Sequence, residues 1–279
     1  MKKILLLVMF IFSVINAEDL KLLQEKSFEV NPGEKLFLAA GGGGDVDVKC
    51  WDKNEVSVKI YGNSKAERKI EFTVEKKEKE VYVKGEKKGS SFFSSFSNIQ
   101  VKYSVMVPKE YMLEIKTSGG DVDVESVTGI KKISTSGGDI EMKNTKGELK
   151  ASTSGGDIKI DNTEGTVDVS TSGGDIKINT SNAKLSASTS GGDVSVKYFG
   201  ENKGIDLSTS GGDITLVLDK NIKADLELKT SGGEISVQLP LSSTEKITTS
   251  KFLAKSNGGG NLIKASTSGG DITVDSLDK

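Results

Sequence analysis

The chain has 279 residues, with 38 Lys and Arg against 40 Asp and Glu, one Cys and no His. The lack of His excludes a Ser-His-Asp triad and a His-ligated zinc centre, and a single Cys excludes an internal disulfide. The net charge of −2, with Arg68 as the one arginine, leaves no basic surplus for phosphates, so no nucleic-acid partner is expected.

Residues 1–17 are predicted to be a signal peptide. Lys2 and Lys3 precede an apolar run from Ile4 to Ile15, and Ala17 offers a small residue for cleavage. The run is too short to span a bilayer as a stable helix, although an uncleaved anchor is the alternative. We therefore expect an exported protein, either periplasmic, cell-surface or secreted, with no transmembrane segment in the mature chain.

Residues 18–116 are predicted to form an N-terminal β region that acts as a cap. This region holds most of the aromatic residues outside the leader: Trp51, Tyr61, Phe72, Tyr82 and Tyr103 among them. Large side chains over the open end of a repeat array would protect an otherwise bare sheet edge. Residues 43–48 also repeat residues 119–124 letter for letter, so the array is expected to begin before residue 50, with an insertion between.

A Phe-rich loop interrupts this N-terminal region between Gly89 and Asn98. Phe92, Phe93 and Phe96 are candidate partner-binding residues, because an exposed apolar tip is typical of a binding surface. The alternative is that the three rings clasp the cap.

Residues 117–279 are predicted to be a repeat array. The motif Thr-Ser-Gly-Gly-Asp recurs at a period of about 18 residues, which is typical of a solenoid. A degenerate copy at Thr249 fills the last long gap and predicts nine unbroken rungs. The motif begins at Thr117, Thr135, Thr153, Thr171, Thr189, Thr209, Thr230 and Thr267.

Each repeat contains two runs of alternating apolar and polar residues separated by turns, which predicts two strands per repeat. The turns fall at Gly155-Gly156 and at Asn162–Gly165, and both are expected to need positive φ. A parallel coil explains why each position keeps its residue type. The predicted fold is all-β: a right-handed parallel β-solenoid with two strands per 18-residue rung and an aromatic-rich N-terminal cap. A 36-residue coil with four strands per turn is the alternative.

The alternation assigns two columns of side chains to the interior. The first column is Ile140, Ile158, Ile176, Val194, Ile214, Ile235 and Ile272; the second is Ile133, Ala151, Val169, Ala187, Leu207 and Leu228. Small Ala residues in the second column predict a narrow interior.

Several segments in this order resemble a known family. They are Phe28–Gly33, Cys50–Asp52, Glu55–Val58, Tyr103–Pro108 and the repeated Ser-Gly-Gly-Asp-Ile. The chain is similar over nearly all of its mature length to the bacterial β-strand-repeat proteins of the DUF4097 family, whose members are called candidate adhesins. The resemblance implies an extracytoplasmic β-solenoid and carries no ligand or functional residue.

The acid after each glycine pair is the sharpest candidate site. The acids are Asp121, Asp139, Asp157, Asp175, Asp193, Asp213, Glu234 and Asp271. In a parallel coil they form a column of like charge, which needs partners. One interpretation has each carboxylate bound within its own turn by backbone N–H groups or Ser hydroxyls. The other is a ladder of Ca²⁺ ions on the seven Asp residues, and no other cofactor is expected.

A second candidate is the Ser column, with Ser136, Ser154, Ser172 and Ser190 as partner-binding residues. The neighbouring Thr residues are expected to point inward and the Ser residues outward. The column serves either to bond hydroxyls along the ladder or to bind a repetitive polymer such as a glycan, or a mineral or ice lattice.

These features predict a non-enzymatic, exported, adhesin-like scaffold. It would bind a protein or polymer partner along a repetitive Ser/Thr/Asp face. The alternative is an envelope structural or stress-related module that docks another envelope protein through its N-terminal cap. A polysaccharide-active β-helix enzyme is disfavoured, because the acids repeat in register instead of forming one unique cluster.

Overall fold

The computed structural model of the protein describes residues 20–88 and 98–277. The signal-peptide segment and the three Phe residues of the loop lie outside the described residues. The elements of the first half are β1 (Lys21–Glu29), β2 (Lys35–Ala40), β3 (Asp45–Trp51), β4 (Glu55–Gly62), α1 (Ser64–Lys69), β5 (Ile70–Lys77), β6 (Glu80–Lys87), β7 (Val101–Pro108), β8 (Met112–Thr117), β9 (Val122–Glu125), β10 (Lys131–Ser134) and β11 (Ile140–Lys143).

Strands continue through the second half of the chain. They are β12 (Lys146–Ser152), β13 (Ile158–Ser170), β14 (Ile176–Ser188), β15 (Val194–Phe199), β16 (Ile205–Ser208), β17 (Ile214–Leu218), β18 (Ala224–Lys229), β19 (Ile235–Val237), β20 (Ser243–Ile247), β21 (Lys251–Ser256), β22 (Leu262–Ser266) and β23 (Ile272–Ser276). Among the described residues no helix is both long and apolar enough to cross a bilayer.

The strands stack as the rungs of a solenoid-like sheet. Strand β10 pairs in parallel with β8 on one side and β12 on the other, while β11 pairs with β9 and β13. Ile140 lies directly opposite Ile158, so one rung takes 18 residues. The prediction of an all-β, 18-residue coil with two strands per rung is therefore confirmed, and the 36-residue alternative is wrong. The handedness of the coil stays a prediction.

Each rung crosses two facing layers. We call the layer that contains β8, β10 and β12 sheet one, and the layer that contains β9, β11 and β15 sheet two. Strands β13 and β14 are long enough to belong to both layers, because each runs through the bend at Asn162–Gly165 and its equivalent. That bend has positive φ at Asn162 (53°) and Gly165 (116°), as predicted.

The interior is lined by apolar side chains. Both predicted inward columns face it, and most of their side chains are fully buried: Ile140, Ile158 and Leu207 are 0% exposed. Ala151 and Ala187, each 1% exposed, contribute small side chains to the interior. Close stacking of branched side chains at every rung supplies the main stabilisation of the rod.

At the N-terminal end, the rungs do not stack in sequence order. Strands β2 and β3 pair with β8 and β9, which confirms that the array begins before residue 50. The next rung in sequence, β6 and β7, stacks outside β2 and β3 instead of following them. Strand β5 then covers the edge of β6 and β4 covers the edge of β7, both antiparallel.

Aromatic side chains lie at this same end of the molecule. The rings of Phe37 and Tyr82 stack with centroids 5.3 Å apart across β2 and β6, and Phe72 contacts Tyr103 edge to face. The division of the chain at residue 116 stays a prediction. Hydrogen bonds join the strands on its two sides into the same layers.

At the C-terminal end, the order of the rungs is inverted again. The last rung in sequence, β22 and β23, inserts between β16–β17 and β18–β19. Including both inverted ends, the described strands form ten stacked rungs. The predicted column order of Ile235 and Ile272 is therefore wrong, since Ile272 pairs with both Ile214 and Ile235.

The predicted degenerate rung at Thr249 is also wrong. Strand β21 runs antiparallel to β18, and β20 pairs with β21 to form a hairpin on the outside of the stack. Lys251 and Phe252 stand where other repeats have the glycine pair. A side chain at the second of these two positions would meet the backbone of the neighbouring rung, because a Cβ on the equivalent Gly156 would lie 2.1 Å from the carbonyl oxygen of Gly138.

One buried charge was missed by the sequence analysis. Lys131 occupies the inward column between Leu113 and Leu149 and is 0% exposed. Its ammonium group donates to the carbonyl oxygens of Gly129 (2.7 Å) and Lys146 (2.6 Å). Burial lowers the pKa of Lys131 to about 8. The signal was available, since Lys131 falls on an apolar position of the repeat.

Candidate functional site

The Thr-Ser-Gly-Gly-Asp motif forms one corner of the rod, between sheet one and sheet two. We call it the Ser-Asp corner. Its Thr side chains point inward, as predicted, and are 4–8% exposed. In the second repeat the Thr135 hydroxyl accepts from the Gly138 N–H (3.2 Å) and donates to the Gly120 carbonyl of the preceding rung (3.1 Å). The Thr column thus closes each corner and joins it to its neighbour.

The glycine pairs allow the rungs to approach one another. A Cβ on Gly138 would lie 2.1 Å from the carbonyl oxygen of Gly120, and one on Gly156 would lie 2.1 Å from that of Gly138. The predicted positive φ at Gly155 and Gly156 is wrong: neither adopts it. The second glycine is needed because the backbones of successive corners are in contact, not because of its φ.

The acids form a continuous hydrogen-bonded column. The Oδ1 atom of Asp139 accepts from the backbone N–H of Asp157 (2.8 Å), and Asp157 accepts in turn from Asp175 (2.8 Å). The pattern runs through nine acids, at N···O distances of 2.7–3.1 Å. In spatial order they are Asp45, Asp121, Asp139, Asp157, Asp175, Asp193, Asp213, Asp271 and Glu234.

The bond between rungs corrects one sequence-based interpretation. The carboxylates accept backbone N–H groups, as expected, but from the next rung and not from their own turn. Each of the eight Asp residues therefore has one oxygen committed to the stack while its side chain remains exposed to solvent. This arrangement explains how like charges tolerate a spacing of ~4.8 Å, because each of these Asp carboxylates receives a charge-assisted hydrogen bond.

A shallow groove of about 460 Å³ follows this column along sheet two. Asp121, Asp139, Asp157 and Asp175 line it together with Lys159 and Lys177. Among the described residues no group of three or more acids is arranged to hold a metal ion. The calcium ladder accordingly stays an untested prediction.

More carboxylates lie on sheet two beside the column. Asp47, Asp123 and Glu141 are in register on adjacent strands. Burial, then the charges of Glu141 and Asp47, raises the pKa of Asp123. Hydrogen bonds from Lys143 and Lys159 instead lower the pKa of Glu141. Asp47, Asp123 and Glu141 thus form a run of like charge, which Lys143 and Lys159 offset at Glu141.

The Ser column lies on the outer side of the corner, as predicted. Ser136, Ser154, Ser172 and Ser190 are all exposed. A second Ser column, which the sequence analysis missed, runs two residues before it on sheet one. Its members are in register on successive rungs and half-buried: Ser134, Ser152, Ser170, Ser188, Ser208 and Ser266. The signal in the sequence is the tripeptide Ser-Thr-Ser at the start of most motifs, whose first Ser lies two residues before the exposed one.

The corner therefore presents three parallel rows of polar groups: two of hydroxyls and one of carboxylates. Within a row the groups repeat every ~4.8 Å. The rows are held by backbone hydrogen bonds at every rung, so they form a rigid, repetitive surface. Thr is not part of that surface, because its side chains are buried.

The fold and this corner define a β-strand-repeat protein of the solenoid class. The chain belongs to the family described as Toastrack DUF4097, whose family model matches residues 34–275. None of the curated proteins compared with the chain is similar to it.

Solved structures are similar to the chain at low sequence identity. A candidate adhesin from Bacteroides fragilis NCTC 9343 is 14% identical, with a TM-score of 0.50, and the match covers 92% of this chain and 97% of that one. A candidate lipid-binding protein from Parabacteroides distasonis ATCC 8503 is 12% identical over 90% of this chain and 96% of that one, with a TM-score of 0.47. A candidate cell adhesion protein from Clostridium sporogenes ATCC 15579 is 15% identical over 92% and 100%, with a TM-score of 0.28.

Proposed function

We propose that the protein is an exported, non-enzymatic, adhesin-like scaffold whose Ser-Asp corner binds a protein or polymer partner. The observation that carries the proposal is the register of the corner. Exposed Ser hydroxyls and Asp carboxylates repeat along the rod at the spacing of the rungs. A ligand with its own repeat can make the same contact many times, so weak single contacts add to useful avidity.

The rigidity of the corner supports a binding role. The Thr hydroxyl and Asp Oδ1 of each rung are engaged in bonds between rungs, while the Ser hydroxyls and the second Asp oxygens face solvent. A preorganised surface loses little entropy when it binds. The same regularity disfavours catalysis, which needs one distinct constellation of groups rather than a uniform row.

Export is part of the proposal. The leader-like segment at residues 1–17 supports it, and so does the description of the structural relative from Bacteroides fragilis as a candidate adhesin. The envelope or the extracellular space is the place where such a scaffold would meet its partner.

The test is affinity capture from cell-envelope extracts with residues 18–279 as bait. The double variant Ser154→Lys/Ser172→Lys places two bulky cations on the corner, and we expect it to lose the captured partner. The matched control Thr166→Lys/Ser186→Lys adds the same charge at exposed positions of sheet one away from the corner. Equal loss in both variants, or in neither, would count against the corner as the binding surface.

Two narrower alternatives have their own tests. If calcium forms a ladder on the Asp column, a chelator must lower the melting temperature of calcium-loaded protein; we expect no change, since each carboxylate already has a backbone partner. If the cap is the docking site, Phe92→Ser/Phe93→Ser/Phe96→Ser must abolish capture while the Ser154→Lys/Ser172→Lys variant retains it.

A further inference from the structure

Strand β19 forms an open sheet edge at the C-terminal end of the rod. Four parallel strands terminate the stack: β6 and β7 at one end, β18 and β19 at the other. Three of them are covered by an antiparallel strand, namely β6 by β5, β7 by β4 and β18 by β21. Within residues 20–88 and 98–277, β19 pairs only with β23.

The hydrogen bonds of β19 show which of its backbone groups face outward. The N–H of Gln238 donates to Val274 O (2.8 Å), and Glu234 O accepts from the N–H of Ile272 (2.9 Å). Successive residues of a strand direct their backbone groups to opposite edges. The N–H and C=O groups of Ile235 and Val237 are therefore directed away from β23, out of the edge.

The core is also incomplete at this edge. Ile235 and Val237 point toward the interior but are only half-buried, whereas Ile272 and Val274 beneath them are 0% exposed. On the facing layer, Phe252 of β21 extends the core one strand further than β19 does. The layers thus end unevenly: in the part of the chain that the structure describes, no strand of sheet two lies opposite β21.

We propose that the β19 edge binds an extended peptide segment of a partner protein by antiparallel strand addition. The occupant would place β-branched apolar side chains over Ile235 and Val237, opposite Phe252, and would exchange backbone hydrogen bonds with those two residues. The three covered end strands of the same rod are the precedent for an antiparallel orientation. The inward-facing side chains of the bound peptide must be uncharged, because they complete an apolar core.

A second copy of the chain fits this edge less well. Strands β21 and β20 project past β18 by two strand widths, roughly 10 Å, whereas no described strand pairs with the outer edge of β19. Pairing β19 with itself about a two-fold axis would bring β21 of one copy onto β18 of the other. A single extended segment avoids this clash. The short length of β19 and Pro240 just after it limit the pairing to a few residues.

Amide hydrogen exchange with a probe peptide tests the proposal. The probe has alternating Val and Thr with a Lys at each end. The control peptide carries N-methyl groups on the residues that would pair with β19. The Ile235 and Val237 amides should exchange rapidly in the free protein, and saturating probe should slow them at least tenfold, whereas Ser236 and Gln238 stay protected throughout. The N-methylated peptide should give no protection.

Protein variants complete the test. Val237→Pro removes an N–H that points out of the edge without removing a bond to β23, so it should weaken probe binding at least tenfold while the protein still folds. Ser236→Ala, which alters an exposed side chain on the other face, should bind normally. Three results would overturn the proposal: protection of Ile235 and Val237 in the free monomer, absence of binding at millimolar probe, or self-association that Val237→Pro abolishes.

Discussion

Asp157 donates its backbone N–H to the Oδ1 atom of Asp139, 18 residues earlier, at 2.8 Å. The same relationship repeats at each neighbouring rung, so every interior acid of the column is both an acceptor through its side chain and a donor through its backbone. The Ser-Asp corner is therefore a hydrogen-bonded column as well as a row of charges. Its polar surface is as regular as the sheets behind it.

The first prediction concerns that bond. Asp157→Ala leaves the N–H of Asp175 without its acceptor, and we expect a loss of roughly 1 kcal/mol in the free energy of unfolding. Asp157→Asn keeps an Oδ1 acceptor and removes one of the stacked like charges, so it should cost less than Ala. Urea unfolding of both variants measures the difference. Equal effects of Ala and Asn would mean that the bond between rungs contributes little.

The glycine pair allows a matched comparison within one corner. A Cβ on Gly156 would lie 2.1 Å from the Gly138 carbonyl oxygen, whereas one on Gly155 would have no neighbour closer than 3.8 Å. We expect Gly156→Ala to destabilise the protein by about 3 kcal/mol or to prevent folding, and Gly155→Ala to change stability by less than about 1 kcal/mol. Thermal unfolding of the two variants checks this. Similar melting temperatures would contradict the close-approach account.

Lys131 predicts a pH dependence of stability. Burial lowers its pKa to about 8 in the folded chain, below the ordinary value of 10.5 in the unfolded chain. Between these values the unfolded state binds more protons, so stability contributed by this residue must rise as the pH rises from about 8 toward 10.5. Lys131→Met should remove that rise. The measurement is the difference in unfolding free energy between the two proteins across this pH range, since their other ionisable groups are shared. A difference that is flat with pH would show that Lys131 does not titrate in this way.

The 18-residue register predicts that one whole repeat can be removed. Deletion of residues 158–175 joins Asp157 to Ile176. Every column stays in register, because Ile176 takes the place of Ile158 opposite Ile140. We expect a folded, slightly less stable protein with one rung fewer. Deletion of residues 158–166 removes the sheet-two half of β13 and should prevent normal folding. Circular dichroism and thermal unfolding distinguish the two, and equal stability of both deletions would contradict the rung assignment.

The middle of the rod was predictable because its sequence repeats exactly where its structure repeats. The spacing from Thr117 to Thr189 determines the rung length, and the alternation around Ile158 determines which side chains face inward. The ends were not predictable in this way. The spacing of 37 residues from Thr230 to Thr267 is close to two repeats, so spacing alone could not distinguish a degenerate rung from the β20–β21 hairpin with an inserted final rung.

The candidate site was predicted in part. Composition and alternation identified the exposed Ser column and the acid column, but not the partner of each acid, because a bond to the next rung depends on the stacking of corners. The contact between the backbones of neighbouring corners also depends on stacking. The sequence analysis therefore explained the glycine pairs by positive φ, whereas this contact is what requires the second glycine. Lys131 was missed because its column, between Leu113 and Leu149, was not among the two columns assigned to the interior, and a charged residue is an exception to their apolar pattern.

The central claim is that the Ser-Asp corner is the binding surface, and the capture experiment tests it most directly. Wild-type residues 18–279, Ser154→Lys/Ser172→Lys and Thr166→Lys/Ser186→Lys are compared as baits for envelope extracts, with equal amounts of folded protein verified by thermal unfolding. The account predicts that one partner, captured by the wild type and by the Thr166/Ser186 control, is depleted at least tenfold on the Ser154/Ser172 bait. Undiminished capture by the Ser154/Ser172 variant would contradict it.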